Sequence, residues 1–295
     1  MKNKIIFIIN PIAGKGKGRM IETEIQSYFN QKNVEFETFL TESIGHATEI
    51  TNQVLTINPD IIVACGGDGT INEVAQALVG SNVALGIIPI GSGNGLAANL
   101  HIPKTTEKAF ETILNAKINK IDAGKINENY FFSNMGLGID ADVINNYAQT
   151  KTRNFLGYVT ASTKAIFNFQ PKKFNIELDD EHTLDDDFYF VFCSNSNEAG
   201  YGISFSPNAK LNDGKLDFLA VKKLNFIQQI QFSANVLGKR IEKMKQAKVL
   251  QVNSVKFNSN QTKTIAQVDG EAVIFNQNSI EVSIVPNALN VIVPN

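Results

Sequence analysis

Two spacings of apolar residues alternate over about the first 120 positions of the chain. Continuous apolar runs are typical of strands that are buried on both faces of a sheet. They lie at 5–9, 34–40, 61–65 and 83–88. Between these runs, apolar residues recur every three or four positions, which predicts amphipathic helices. Strands of this kind that alternate with such helices predict a parallel sheet covered on both faces, the α/β class.

From about Tyr130 onward the pattern changes to short strand-like runs with turn residues between them. This change predicts a second, mostly antiparallel β domain. A single long helix is predicted within it, from Leu224 to about Lys248. The predicted division is an α/β domain at 1–122 and a β-rich domain at 123–287.

Composition narrows the class of protein. The 295 residues are 43% hydrophobic and 19% charged, and the formal net charge of −2 gives no reason to expect a nucleic-acid partner. Cys65 and Cys193 stand beside apolar runs and are expected to be buried thiols in a reducing cytosol. We find no run long enough for a signal-peptide core or a membrane-spanning helix. We therefore expect a cytoplasmic protein that meets a membrane only at its surface.

The stretch CGGDGTINEV, at 65–74, follows the third predicted strand and leads into a helical pattern. Glycine lets another group approach the main chain closely, and the start of a helix offers free N–H groups to an anion. The stretch therefore predicts a phosphate-binding loop. Asp68 needs a cation between its carboxylate and a phosphate, which indicates a magnesium nucleotide. The alternative is an ordinary β–α turn in which Asp68 or Thr70 caps the helix.

The first and fourth predicted strands also end in glycine-rich segments, NPIAGKGKG at 10–18 and PIGSGNGLAANL at 89–100. Ligands in this class of fold bind outside the carboxyl ends of the strands, so we expect the three loops to converge there. The first loop lacks the Gly-Lys-Ser/Thr of a Walker A motif. Lys15 either assists a bound phosphate or belongs to a solvated basic loop.

Two Asp-Gly pairs mark the predicted β domain, in NAKLNDGKLDF at 208–218 and QVDGEAV at 267–273. Each pair fits a plain hairpin turn, so Asp213 and Asp269 by themselves predict no chemistry. Glu271 stands just past the second turn in an otherwise apolar strand, and this makes it a candidate functional carboxylate.

Four segments, NPIAGKGKG, TESIGHA, GGDGTINEV and PIGSGNGLA, in this order and spacing resemble the catalytic domain of diacylglycerol kinases and of sphingoid-base or ceramide kinases. The later segments NMGLGIDAD, FLGYVTAS, FSPNAKLNDGKLDF and VDGE resemble the second domain of the bacterial lipid kinases of that group. The resemblance covers nearly the whole chain. It implies a nucleotide-binding domain like that of NAD kinase and phosphofructokinase, then a β-sandwich-like domain, with catalysis in the cleft between them. The end of the chain, 288–295, resembles a tail that returns to the first domain.

The resemblance also implies transfer of the γ-phosphate of ATP to a lipid hydroxyl, with Mg²⁺. The family's metal position maps onto Asp213, with the backbone carbonyls of Lys210 and Lys215, and Asp68 is associated with the same metal-nucleotide complex. Its proton acceptor maps onto Glu271. The residues that map onto ATP contacts are Asn10, Pro11, Ile12, Ala13, Gly14, Thr41, Gly66, Gly67, Asp68, Gly69, Thr70, Ile71, Asn72 and Ser92.

Several alternatives stay open at this point. An NAD kinase or another small-molecule kinase shares the GGDGT loop, and a non-catalytic nucleotide-binding regulator would keep the same fold. Many bacterial members have Gly-Thr-x-Asn-Asp where this chain has GSGNG at 91–95, so the acceptor is open among diacylglycerol, a monoacylglycerol, a sphingoid base, ceramide and a polyprenol. The basic segment Gly238–Lys248 is a candidate contact with anionic membrane lipids or a solvated helix face. A homodimer is neither indicated nor excluded.

Overall fold

The computed structural model describes residues 4–32, 34–91, 93–148, 169–179, 181–197 and 204–295. The chain divides into two compact units. The first unit comprises Met1–Ile121 and Asn287–Asn295, and the second comprises Asp122–Pro286. The predicted order of an α/β unit followed by a β-rich unit is confirmed.

Four parallel strands form the sheet of the first unit, in the order β2-β1-β3-β4. The elements are β1 (Lys4–Ile9), α1 (Ala13–Asn30), β2 (Glu35–Leu40), α2 (His46–Leu55), β3 (Ile61–Gly66), α3 (Asp68–Leu78), β4 (Ala84–Pro89), α4 (Gly95–Asn99) and α5 (Thr106–Asn115). The last strand of the chain, β15 (Ser279–Ile292), places Asn290 and Val291 beside β4, also in parallel. The predicted strands match these bounds to within one residue at each end.

Burial on both faces explains the continuous apolar runs of the first unit. Ile5, Phe7 and Ile9 of β1 pack in one core with residues of α1 and α5. The alternate residues Ile6 and Ile8 are also fully buried. A strand whose two faces are both covered has no position at which a polar side chain would reach water, so its sequence shows no polar–apolar alternation.

The second unit is built from antiparallel strand pairs. Its strands and helices are β5 (Ile118–Ile126, which starts in the first unit), β6 (Asn129–Phe131), β7 (Asn134–Gly138), α6 (Ile139–Ala148), β8 (Lys172–Leu178), β9 (His182–Ser194), β10 (Leu216–Lys222), α7 (Phe226–Leu237), a 3₁₀ turn (Ile241–Lys243), β11 (Ala247–Val252), β12 (Ser254–Asn258), β13 (Thr264–Val268), β14 (Glu271–Phe275) and β15. The long strand β9 pairs with β8 along its first half and with β7 and β10 along its second half. The hairpin of β13 and β14 continues the sheet from β7.

The predicted single helix from Leu224 to about Lys248 is wrong. Helix α7 ends at Leu237, where Gly238 is the C-cap and Lys239 has a φ of +53°. A 3₁₀ turn and the start of β11 follow. Within the described residues, no helix is long and apolar enough to cross a bilayer.

Candidate active site

The glycine-rich loops after β3 and β4 touch each other through their backbones. The N–H groups of Ile90 and Gly91 both donate to the carbonyl of Gly66, at 2.8 and 3.3 Å. A Cβ atom added to Gly91 would lie only 2.6 Å from the Cα of Gly67. The two loops can approach this closely only because neither carries a side chain at the point of contact.

The loop after β1 is tied to the same place by Asn10. Its side-chain Nδ2 donates to Thr70 Oγ1 at 3.1 Å, and its Oδ1 accepts from the N–H of Ile12 at 3.1 Å. Further along the loop, Gly14, Lys15 and Gly16 all have positive φ, of 59°, 60° and 90°. A Cβ added to Gly16 would meet nothing within 4 Å. These residues form the irregular start of α1, whose main chain is open to a ligand at Gly16, whereas Gly14 packs closely against Ile90.

Asp68 connects the β3 loop to the start of α4. Its Oδ2 accepts from the N–H of Asn94 at 2.7 Å, and its Oδ1 accepts from the N–H of Gly95 at 2.6 Å. Burial raises the pKa of this carboxyl, and the two N–H groups act in the opposite direction. A Cβ on Gly93 would lie 2.8 Å from Asp68 Oδ2, so a side chain at position 93 would displace the carboxylate from its two hydrogen bonds. Asp68 thus caps a helix, as the simpler interpretation of the sequence allowed, but the helix is α4 and not its own.

Glu73 makes a similar connection that the sequence analysis missed. Its Oε1 accepts from the N–H of Gly45 at 2.9 Å and its Oε2 from the N–H of Ala47 at 3.0 Å. The hydroxyl of Thr48 donates to the Glu73 carbonyl at 3.1 Å. These bonds hold the start of α2, which contains part of the TESIGHA motif, against α3. The nearby Thr41 is buried, and its N–H donates to the carbonyl of Ile9 at 2.9 Å.

The other residues mapped onto ATP contacts differ in what they can offer. Ile71 is buried in the first unit and its N–H donates to the Gly67 carbonyl at 3.0 Å, so its side chain is unavailable to a ligand. Ile12 is 77% exposed. The side chain of Asn72 accepts a hydrogen bond from Gln76. Ser92 lies outside the described residues.

A cavity of about 360 Å³ opens in the first unit beside the β4 loop. It lies between α1, the end of β4 and the start of α5, and its lining includes Lys17, Met20, Gly91, Asn94 and Lys104. This volume is within the range of small-molecule sites. The two lysines on its wall outnumber the one carboxylate, that of Glu24, and this excess of positive charge favours a ligand that carries negative charge.

In the second unit, Asp122 holds the loop that contains Asp213. The buried Asp122 carboxylate accepts from the N–H of Gly214 at 2.7 Å, and its own N–H donates to the Leu211 carbonyl at 2.7 Å. Asp213 itself is exposed, and its carboxylate accepts from the N–H of Lys215 at 3.1 Å. The described residues contain no cluster of three or more His, Cys, Asp or Glu that could hold a metal. A metal at Asp213 would therefore rely on backbone carbonyls as further ligands.

Glu271 follows a turn that is itself anchored. Asp269 and Gly270 both have positive φ, of 46° and 86°, as a type I′ hairpin turn requires. The Asp269 carboxylate also accepts three backbone N–H groups of 132–134, at 2.8, 2.8 and 3.0 Å. Glu271 begins β14 and is exposed. The hydrogen bonds of Asp269, two residues earlier, thus fix the position of Glu271 within the second unit.

Two family models match almost the whole chain. The diacylglycerol kinase catalytic domain matches residues 4–126, and the YegS C-terminal NAD kinase beta sandwich-like domain matches residues 133–293. The chain belongs to the diacylglycerol kinase family. The resemblance drawn from the motifs is confirmed, and the protein is a diacylglycerol kinase-like enzyme.

Individual relatives agree with this assignment, and solved structures agree with the fold. The chain is 29% identical over 272 residues to a diacylglycerol kinase of Bacillus subtilis, and the match covers 90% of this chain and 88% of the relative. It is 27% identical over 277 residues to one from Staphylococcus epidermidis, covering 92% and 86%. A crystal structure of a diacylglycerol kinase from Bacillus anthracis has a TM-score of 0.76 at 21% identity, covering 99% of this chain and 97% of that one. Yeast NADH kinase complexed with NADH has a TM-score of 0.58 at 11% identity, covering 100% and 84%, and it shares the fold alone.

Proposed function

We propose that the protein transfers the γ-phosphate of ATP to the hydroxyl of a membrane lipid such as diacylglycerol or a sphingoid base. The main support is the set of connections at the carboxyl edge of the parallel sheet. Asn10 ties the β1 loop to Thr70, and Asp68 ties the β3 loop to the β4 loop. Loops that are poor in side chains and held together in this way suit a ligand with several phosphate groups.

The nucleotide phosphates would lie against the first turn of α3 and the backbone of Gly66, Gly67 and Gly69. A helix start carries unsatisfied N–H groups and the positive end of the helix dipole, and both stabilise an anion. These backbone groups can stabilise the phosphates without a lysine or arginine side chain buried beside them. The lysines of the neighbouring cavity, Lys17 and Lys104, would add long-range attraction for a polyanion.

Asp213, with the carbonyls of Lys210 and Lys215, would hold Mg²⁺ in the second unit. The exposed Asp213 carboxylate forms no ion pair with any described residue, so its charge is available to a cation. Carboxylate and carbonyl oxygens are the donors that Mg²⁺ prefers. When bound, the ion offsets negative charge that develops during phosphoryl transfer. We propose that Asp68 contributes by positioning the loops around the nucleotide, and its association with Mg²⁺ stays a prediction.

Glu271 would accept the proton of the lipid hydroxyl. As the hydroxyl oxygen forms its bond to the γ-phosphorus, the bond from that phosphorus to the bridging oxygen of ATP breaks and ADP leaves. The hydroxyl proton passes to the Glu271 carboxylate. Replacement of Glu271 by glutamine keeps the size of the side chain but removes this acceptor. We expect that variant to lose turnover while it retains affinity for a non-hydrolysable ATP analogue.

A panel of acceptors tests the proposal directly. The protein would be incubated with ATP and Mg²⁺ and with each of diacylglycerol, monoacylglycerol, sphingosine, ceramide, a polyprenol and NAD, and products would be identified by mass spectrometry. A phosphorylated lipid that Glu271→Gln does not produce supports the assignment. Phosphorylated NAD without any phosphorylated lipid would move the protein to the small-molecule kinases. Nucleotide binding without any product would make it a regulator.

A lipid acceptor also implies where the protein works. We propose that it is a cytoplasmic protein that reaches its acceptor by peripheral contact with a membrane surface. Such contact requires an exposed surface that binds lipid headgroups or acyl chains.

A further inference from the structure

Helix α7 presents an apolar face to solvent. Phe226, Ile227, Ile230 and Leu237 are 64%, 67%, 56% and 80% exposed, and Ala234 is also exposed. On a helix with 3.6 residues per turn these five residues fall within an arc of about 100°. We call this set the α7 face.

The opposite side of α7 is already used for packing. Val236 is buried, and Phe232 packs against the same core cluster. The helix start is fixed by a capping box in which Asn225 accepts from the N–H of Gln228 and the Gln228 side chain accepts from the N–H of Asn225. The α7 face is therefore displayed on a firmly anchored helix. Apolar residues in such a position are most often covered by a partner or a membrane.

Positive charge follows α7 directly. The segment 222–248 holds seven of the chain's 27 lysines and arginines but only one of its 29 acidic residues, although the chain as a whole has a net charge of −2. Five of these cations come after the helix and are exposed, and none forms an ion pair with another described residue. They are Lys239, Arg240, Lys243, Lys245 and Lys248. We call them the basic cluster.

The basic cluster lies beside the end of α7. Ile241 and Met244 alternate with its cations and are buried in the same core as Val236, which fixes the turn against the helix. At the other end of α7, Lys222 is engaged with Asp186 at 2.6 Å and is not part of the cluster. The surface thus combines exposed apolar side chains with unpaired cations. This combination suits a bilayer, where acyl chains lie next to anionic headgroups.

We propose that the α7 face inserts into a bilayer that contains anionic lipid while the basic cluster binds the headgroups around it. The inference rests on the proposed function, because an enzyme whose acceptor is a membrane lipid has to reach a bilayer. It differs from the sequence analysis, which named only the basic segment Gly238–Lys248 as a candidate membrane contact and left a solvated helix face as the alternative. In the structure the apolar contact comes from α7, and the cations come from the turn and strand after it.

The absence of tryptophan from the chain allows a direct test of insertion. Phe226→Trp introduces a single tryptophan on the α7 face, and Ile57→Trp introduces one at a different exposed apolar position, 48% exposed. Vesicles of phosphatidylglycerol and phosphatidylcholine, without any acceptor lipid, would be titrated into each variant. We expect the tryptophan emission of the Phe226→Trp variant to shift to the blue and to be quenched by brominated acyl chains, with no change for the control. An unchanged emission spectrum of Phe226→Trp at a lipid concentration that sediments the protein would overturn the proposal.

Sedimentation with the same vesicles measures how much the α7 face and the basic cluster each contribute to vesicle binding. Ile227→Ser with Ile230→Ser should reduce partitioning at least tenfold, since burial of each such side chain in an apolar phase strengthens binding by about tenfold. Glutamine at Lys239, Arg240, Lys243 and Lys245 should reduce it by more, at about fivefold per cation, and should weaken its dependence on anionic lipid to what Lys248 alone supports. The matched controls are Ile57→Ser with Ile118→Ser, and glutamine at Lys108, Lys117, Lys120 and Lys263. Partitioning that falls equally in the controls would contradict the assignment.

Two further measurements separate the alternatives. If light scattering shows that the wild type is a dimer and that Ile227→Ser with Ile230→Ser is a monomer, a second copy of the chain covers the α7 face and the proposal is wrong.

Phosphorylation of a short-chain diacylglycerol below its micellar concentration should proceed at the wild-type rate in the α7 variants. Loss of vesicle binding with this activity intact supports docking. Vesicle binding by a wild type that phosphorylates no lipid would refute the proposed function instead.

Discussion

Replacement of Asp68 by asparagine tests whether the β3 and β4 loops must be joined. The Asp68 carboxylate accepts two backbone N–H groups, at 2.7 and 2.6 Å. Asparagine keeps the shape, but only one of its two terminal atoms accepts a hydrogen bond, so one N–H group loses its partner. A hydrogen bond to a charged acceptor contributes about 1.5–3 kcal/mol. Because burial raises the pKa of Asp68, part of this gain is offset by desolvation of the charge. We expect the free energy of unfolding to fall by about 1–2 kcal/mol.

Asp68→Asn should weaken nucleotide binding more than its small loss of unfolding free energy would indicate. The reason is that the two loops form one side of the proposed phosphate site. We expect at least a tenfold loss of affinity for an ATP analogue, measured by calorimetry, and a fall in kcat. The loss should persist in EDTA. A residue that acted only as a metal ligand would change affinity only when Mg²⁺ is present. This comparison separates the positioning role from the metal role.

Asp60 provides the matched control at the opposite edge of the same sheet. Its carboxylate accepts the N–H of Lys4 at 2.8 Å, on an exposed surface just before β3. Asp60→Asn removes the charge of an acceptor of the same kind but keeps one oxygen for the single N–H of Lys4, and it should leave nucleotide affinity unchanged. If Asp68→Asn binds the analogue as tightly as the wild type and as Asp60→Asn, the loops are not held by this carboxylate and the reasoning fails.

Three other carboxyl groups give further predictions. Glu73→Gln keeps one of two acceptors for the start of α2, so urea unfolding should show a loss of about 1 kcal/mol. Asp269→Asn should lower kcat while calorimetry shows unchanged nucleotide affinity, because Asp269 anchors the turn before Glu271. Burial raises the pKa of Asp140 to about 7, so the folded protein keeps a proton that the unfolded chain releases, and stability falls as the pH rises towards that value. Asp140→Asn should therefore be more stable than the wild type by about 2–4 kcal/mol at pH 8, and urea unfolding at pH 4 should show no such gain.

The elements of the first unit were predictable because each depends on a local pattern. The run at 61–65 has no polar residue, and β3 is buried on both faces along its length. The helix α3 shows apolar residues at 71, 74, 75 and 78, and all four are buried. Where the strands end, glycine marks the loops. These properties follow from neighbours within a few positions, so the sequence displays them directly.

The connections of the site were not predictable in this way. Asp68 bonds to residues 26 and 27 positions later, and Glu73 to residues 28 and 26 positions earlier. An aspartate at a helix start is equally compatible with a local helix cap, a metal ligand and a hydrogen bond to residues distant in sequence. The adjacent residues in the sequence do not distinguish these three roles. Glu73 belongs to the GGDGTINEV motif, and its place in this motif was the one sign in the sequence that it is important.

The error at α7 has a different origin. Leu237, Ile241 and Met244 have the spacing of a continuous helix, yet Leu237 is exposed, while Ile241 and Met244 are buried in one core with Val236. The chain reaches that core by a left-handed residue at Lys239 and a 3₁₀ turn instead. Apolar spacing alone does not distinguish a continuous helix from a helix that ends and is followed by a turn. Gly238 was the local sign of the helix end.

Four carboxylates beside the glycine-rich and turn segments, Asp68, Glu73, Asp122 and Asp269, share a physical reason. A loop that must come close to a phosphate cannot carry side chains, so it cannot fix its own shape by packing. Its backbone N–H groups still need partners wherever water is excluded. A carboxylate from a neighbouring segment meets both needs, because it accepts these N–H groups and orients them. Asp68, Glu73 and Asp269 each accept two or three N–H groups in this way, and Asp122 accepts that of Gly214. In this protein, an acidic residue beside a glycine-rich or turn segment is therefore as much a part of the scaffold of the candidate site as a candidate for its chemistry.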